Sequence, residues 1–183
     1  MVPELHRRFP RLELLLGKYL GLAVALTLST LAGFALVAVL LYRQFGMAAF
    51  GQYLGFVVTA VLLGLAFLSQ AVLLSVITRE RTRASGLAIA VWFGFVLVFD
   101  LVLLGALVAS GGEFGGEALA YVLLLNPADI FRIMNVFSLD QARSLYGLAA
   151  IVPPQLANPW LMGSAMLAWI CAPLAVALWR FRP

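Results

Sequence analysis

Asp100 is the residue most able to do chemistry in this chain. It is the only charged group in the apolar run from Gly86 to Ser110 and lies close to the middle of that run. A carboxylate at the centre of a lipid-embedded helix costs about 2.5–3.5 kcal/mol on insertion scales, so it is expected to face protein or a water-filled path. Two readings stand. As part of a substrate or ion path it would act with Gln70 and Ser69, the polar pair inside the preceding apolar run. As packing glue it would be protonated, or bonded to Gln70, Ser69, Ser164 or a neighbouring subunit. A single carboxylate with no visible relay partner favours the structural reading.

Other residue types offer less. Met134, Met162 and Met166 could present soft thioethers to copper(I), but methionine at helical spacing in apolar company is usually core filler. Asp129 and Arg132 stand three residues apart on a predicted helix, either facing a partner or forming a solvated i,i+3 pair. Arg7, Arg8 and Arg11 form a basic cluster that suits a cytoplasmic partner or anionic headgroups. One histidine, His6, and one cysteine, Cys171, leave no histidine pair, no intramolecular disulfide and no thiolate cluster. Nothing is spaced as a nucleophile with its base, as paired catalytic acids or as a phosphate-cradling glycine loop. The chain is therefore expected to be neither an enzyme nor a binder of its own metal or cofactor.

The elements that must position these residues are set by hydropathy. The chain is 64% hydrophobic and 11% charged, with a mean hydropathy of +1.05. A soluble domain carries about 25% charged residues, which excludes that class. The predicted fold is all-α, one polytopic membrane domain over 1–183. Four spans are expected, at about 19–42, 53–77, 86–110 and 160–179, each long enough for a hydrocarbon core of roughly 30 Å. The organising feature is the bend Thr78-Arg79-Glu80-Arg81-Thr82-Arg83 between the second and third runs. Three arginines in a tight loop are costly to translocate, which places the bend in the cytoplasm.

Residues 1–18 read as a basic cytoplasmic lead-in, broken at Pro10 and running into the first span. Thr27, Ser29 and Thr30 are expected to bond back to their own helix, and Arg43 to Gly46 to form a brief outer turn. Gly111 to Gly116 should break the third span and act as a hinge. The region 111–159 is expected to lie outside, with short amphipathic helices at 116–150. Within it, Ala118 to Leu125 is too short to cross. Asn126-Pro127-Ala128-Asp129 has the order of a helix start, with Asn as cap and Pro in the first turn. The helix that follows should set Ile130, Ile133, Met134 and Phe137 on one face, away from Asp129 and Arg132. A further helix is expected over Leu139 to Ala149. Asn158-Pro159 repeats the start signal before the last span, where Pro173 should introduce a kink.

Charge orients the whole. The inner segments 1–18, 78–85 and 180–183 hold nine of the twelve Lys and Arg, and the outer segments only Arg43, Arg132 and Arg143. The net charge of +4 thus reflects positive-inside topology, with both termini cytoplasmic, rather than nucleic-acid binding.

The stretch Leu12-Glu13-Leu14-Leu15-Leu16-Gly17-Lys18-Tyr19-Leu20-Gly21 resembles the entry to the third span of ABC-2-type permeases. The likeness is greatest to permease subunits of the nitrous-oxide-reductase maturation transporter (NosY-like). The arginine bend with Trp92 to Gly105, the segment Leu125 to Arg132, and the ending Trp169 to Arg182 are similar to the same family. The resemblance implies a homodimeric permease of a bacterial or archaeal cytoplasmic membrane, with six spans per subunit. It also implies two copies of a separate cytoplasmic ABC ATPase that bind the ATP, and a periplasmic accessory protein. The function implied is assembly of a copper site. Carried over by position, Arg7, Arg8 and Arg11 fall where the ATPase couples, and Asp129, Arg132 and Met134 on the periplasmic helices that meet the accessory protein. Against that pattern the chain starts near the third span, so the first two are expected to be absent. A non-transporting membrane scaffold, or a permease for a different ABC-2 substrate, is the alternative.

Overall fold

A computed structural model describes residues 11–78, 80–111, 121–138 and 158–180, and every regular element among them is helical. Three stretches are long and apolar enough to cross a membrane: Glu13–Ile77 (65 residues), Arg81–Ala109 (29) and Pro159–Arg180 (22). The first of these is folded in two. The helical stretch Arg11–Ile77 is interrupted at Gly46, where φ is 78° and ψ is −167°, a conformation essentially reserved for glycine. We label the arm over residues 11–45 α1 and the arm over residues 47–77 α2.

Contacts between the arms step outward from Gly46 in antiparallel order. Tyr42 meets Phe50 at 5.7 Å between ring centroids, and Phe34 meets Phe56 at 5.6 Å. The Tyr53 hydroxyl donates to the Phe34 carbonyl at 3.2 Å. Farther along, Gly64 lies so close to Leu26 that a Cβ there would sit 2.9 Å from Leu26 Cδ2. At the far end the Tyr19 hydroxyl is 3.0 Å from Ser69 Oγ. The expected first and second spans are thus two arms of one bent helix. The reversal occupies a single residue, not four, because Arg43 to Phe45 remain helical. Thr27 and Thr30 bond back to the carbonyls of Ala23 and Leu26, both at 2.8 Å. Gly46→Ala is expected to cost about 1–3 kcal/mol, since an L-residue is strained at this backbone conformation. Unfolding in detergent micelles checks this, and an unchanged midpoint would refute it.

Thr78 closes α2, its hydroxyl donating to the Leu74 carbonyl at 2.6 Å, and helix resumes at Arg81. Helix α3 runs over Arg81–Ala109 and contains one π-helical turn, Gly94–Val98. It ends at Ser110 and at Gly111, which has φ 63°. Helix α4, Pro127–Ser138, and helix α5, Pro159–Arg180, both begin as their Asn-Pro pairs require. Asn126 Oδ1 accepts from the Ala128 amide at 2.9 Å, and Asn158 Oδ1 from the Trp160 amide at 3.0 Å. Pro173 lies inside α5. The segment 112–120, which includes most of the glycine hinge, and the predicted helix over 139–149 fall outside the described residues, as do Arg7 and Arg8.

Helix α4 lays its predicted apolar face on the bundle, with Ile130 fully buried against Ala66, Met162 and Met166 and with Ile133 and Met134 packed beside it. Its polar edge is only partly in solvent: Asn126 is 0% and Asp129 4% exposed, whereas Arg132 is exposed. The three methionines, with Met134 partly buried, fill this core and touch apolar neighbours.

The packing also sorts charge. Residues 18–19, the α2–α3 bend and the C-terminal end of α5 lie at one end of the bundle, because Tyr19 meets Ser69 and Leu73 faces Pro173 and Val176. Lys18, Arg81, Arg83 and Arg180 gather there, whereas Arg43 sits at the opposite end beside the Gly46 turn.

Candidate functional site

The site begins with the π-helical turn of α3. Widening one turn shifts the backbone pairing, so that the Phe99 amide bonds to the Gly94 carbonyl five residues back, and nearby carbonyls become available to other donors. Two of these receive side chains from the α4 segment. Asn126 Nδ2 donates to the Phe95 carbonyl at 2.8 Å, and Arg132 Nη2 to the Val96 carbonyl at 3.1 Å.

One turn farther on, Asp100 forms an ion pair with Arg132 Nη1. The same nitrogen lies 2.8 Å from Asp129 Oδ1. The other Asp129 oxygen accepts from Asn126 Nδ2 at 2.8 Å, so Asn126 caps the helix with its oxygen and tethers Asp129 with its nitrogen. One guanidinium thus bridges two carboxylates, and an asparagine ties the cluster to the π-turn. Fully ionised, the Asp100–Arg132–Asp129 triad carries one net negative charge. Burial, reinforced by the neighbouring Asp100 charge, raises Asp129 from 3.8 to about 6, against the opposing pull of Arg132 and Asn126. A proton on Asp129 makes the triad neutral. The arrangement can therefore hold α4 against α3 and take up one proton near neutral pH.

The structure regroups the candidates from sequence. Asp100 is partnered by Arg132, not by Gln70, Ser69 or Ser164; charge complementarity across α3 and α4 outweighs the weaker amide and hydroxyl dipoles. Ser164 bonds the Leu161 carbonyl. Ser69 is spent on the Tyr19 hydroxyl and the Leu65 carbonyl, both at 3.0 Å. Gln70 is 7% exposed, and neither polar atom of its side chain has a partner among the described residues. It borders an apolar crevice of about 230 Å³ with Phe67, Ile89 and Trp92. The path trio Asp100, Gln70 and Ser69 is therefore not one constellation. Asp129 and Arg132 are not a solvated pair, because Asp129 is buried. Among the three partner-contact candidates only Arg132 is exposed. Arg11 opens α1.

The local sequence marks Asn126 only as a cap and gives no sign of a role for Asn135. Asn135 Nδ2 donates to Thr59 Oγ1 at 3.1 Å and Trp169 Nε1 to the Leu124 carbonyl at 3.1 Å, further tying the α4 segment to α2 and α5. A polar residue on each of several apolar helices is the one signal that pointed to such cross-helix bonds.

Residues 9–182 match the family of ABC-2 family transporter proteins. Over 180 residues the chain is 43% identical to the probable ABC transporter permease protein NosY of Stutzerimonas stutzeri, covering 93% of this chain and 63% of that relative. It is 40% identical over 182 residues to the protein of the same description from Pseudomonas aeruginosa, covering 93% of this chain and 64% of that relative. The chain thus spans just under two thirds of the length of these relatives.

Proposed function

The chain belongs to the ABC-2 family of transporter proteins, and from that premise we propose that it acts as a permease subunit of an ABC transporter serving maturation of the copper site of nitrous oxide reductase. The observation that carries this reading is the family match over 9–182, joined to likeness with two NosY proteins over 93% of the chain. In this reading the helices cross a bacterial inner membrane four times with both termini in the cytoplasm, which the gathering of basic side chains at one end of the bundle supports. A separate cytoplasmic ATPase binds and hydrolyses ATP, a second copy completes the permease, and an accessory protein meets the periplasmic side. Because Arg132 ties α4 to α3, movement of α3 on ATPase closure would carry α4 with it. Asp100 and Arg132 thus couple two elements and do not line a path with Gln70.

The test is retrieval of the tagged chain in mild detergent from cells expressing its native operon. An ABC ATPase subunit is expected to co-purify with it, and cells lacking the chain are expected to make nitrous oxide reductase deficient in copper. A chain recovered without an ATPase, together with fully copper-loaded reductase in the deletion strain, would overturn the proposal.

A further inference from the structure

An apolar groove of about 440 Å³ runs between α2 and α5. Leu73, Leu124, Ala168, Ala172, Pro173 and Val176 are among its lining residues. The small alanines of α5 leave room that no side chain fills among the described residues. From Ala165 to Val176 the groove follows α5 for about 16 Å at 1.5 Å per residue, close to the roughly 15 Å depth of one leaflet's hydrocarbon. Its lining faces one side of the helix: Trp169, Pro173, Val176 and then Arg180 recur at intervals of four, three and four residues. Arg180 therefore stands one turn beyond the groove, in line with it. It is exposed and has no acidic partner among the described residues. Trp179 beside it is 66% exposed, as suits the level where aromatic rings meet headgroups.

We propose that this groove holds an acyl chain of an anionic phospholipid whose phosphate pairs with Arg180. The depth matches one leaflet, the lining is apolar throughout, and Arg180 in line with its mouth selects for negative charge. Lys18 and Arg81 at the same end of the bundle strengthen the local positive field, while Arg83 there is paired with Glu80 at 2.9 Å. The bound lipid would brace α5 against α2 beside Pro173, which withholds an amide from the Trp169 carbonyl one turn back.

Brominated lipids test this, because bromine quenches only nearby tryptophan. The full chain, with Trp92, Trp160 and Trp179 changed to Phe so that Trp169 alone reports, is placed in phosphatidylcholine bilayers. A minor fraction of brominated phosphatidylglycerol or brominated phosphatidylcholine is then added. Quenching should favour phosphatidylglycerol about five-fold, the selectivity one arginine supplies at an anionic surface. Arg180→Gln, an exposed change that leaves the packing alone, should bring the two lipids level. Ala172→Phe should reduce quenching by both. Equal quenching in the parent chain, or a preference that survives Arg180→Gln, would overturn the proposal. So would quenching by neither lipid, the result expected if a second copy of the chain covered the groove.

Discussion

Replacing Arg132 with methionine should destabilise the folded chain by about 3 kcal/mol, the largest single-residue effect expected. Methionine keeps a flexible, unbranched apolar stem but removes the guanidinium that two carboxylates share. Breaking a buried ion pair by deleting one partner typically costs about 3–5 kcal/mol. The lower end applies here because the Arg132 and Asp100 side chains are 44% and 39% exposed. Asp129, with its side chain only 6% exposed, bears most of the loss. The loss of the Arg132 bond to the Val96 carbonyl identifies α4 as the element loosened, so its contacts with Ala66 and Met166 should weaken too. Chemical unfolding in mixed micelles measures the loss. The double variant Arg132→Met/Asp129→Asn should recover more than half of it, because the remaining buried group is then neutral. A single-variant loss below about 1 kcal/mol, the ordinary value of an exposed pair, would mean that the triad is a surface feature.

The second large effect is on pH dependence. Asp129 titrates near 6 in the folded chain against 3.8 as the ordinary value, so the folded state holds its proton more tightly than the unfolded state. The resulting stabilisation is complete below about pH 4 and is lost as pH rises through 6. An upward shift of roughly two pH units corresponds to about 3 kcal/mol at 1.36 kcal/mol per unit. The chain should therefore be more stable at pH 5 than at pH 7.5, and Asp129→Asn should flatten that difference. Asp100→Asn removes one of the influences that raise Asp129 and should shift the midpoint downward. Arg132→Met removes an influence that lowers it and should shift the midpoint upward. If stability instead rose with pH, or Asp129→Asn left the slope intact, another group would control it.

Much of the architecture was legible because local rules decide it. Apolar runs of span length, the Asn-Pro starts at 126 and 158, and the helix end at Gly111 each depend on a few neighbouring residues, and they appear where predicted. Gly46 was legible as part of a turn, although only the backbone shows that one residue makes the whole reversal. The functional cluster was not legible. Asp100 and Arg132 are 32 residues apart in sequence and lie on different helices, and no periodicity links them. Their pairing depends on α4 entering the bundle, which in turn depends on the π-helical turn presenting the Phe95 and Val96 carbonyls to it.

The amphipathic pattern of α4 holds for its apolar face, since Ile130 enters the core, and for the exposed Arg132. It misleads for Asp129 because polarity in a sequence implies water only when no internal partner exists. What the amino-acid order determined by itself was which segments are helical and apolar enough for a bilayer, since backbone hydrogen bonding within a helix and side-chain transfer into lipid are properties of contiguous residues. What the tertiary structure alone decided was which charges meet, because charges on separate helices are paired by packing and not by position along the chain.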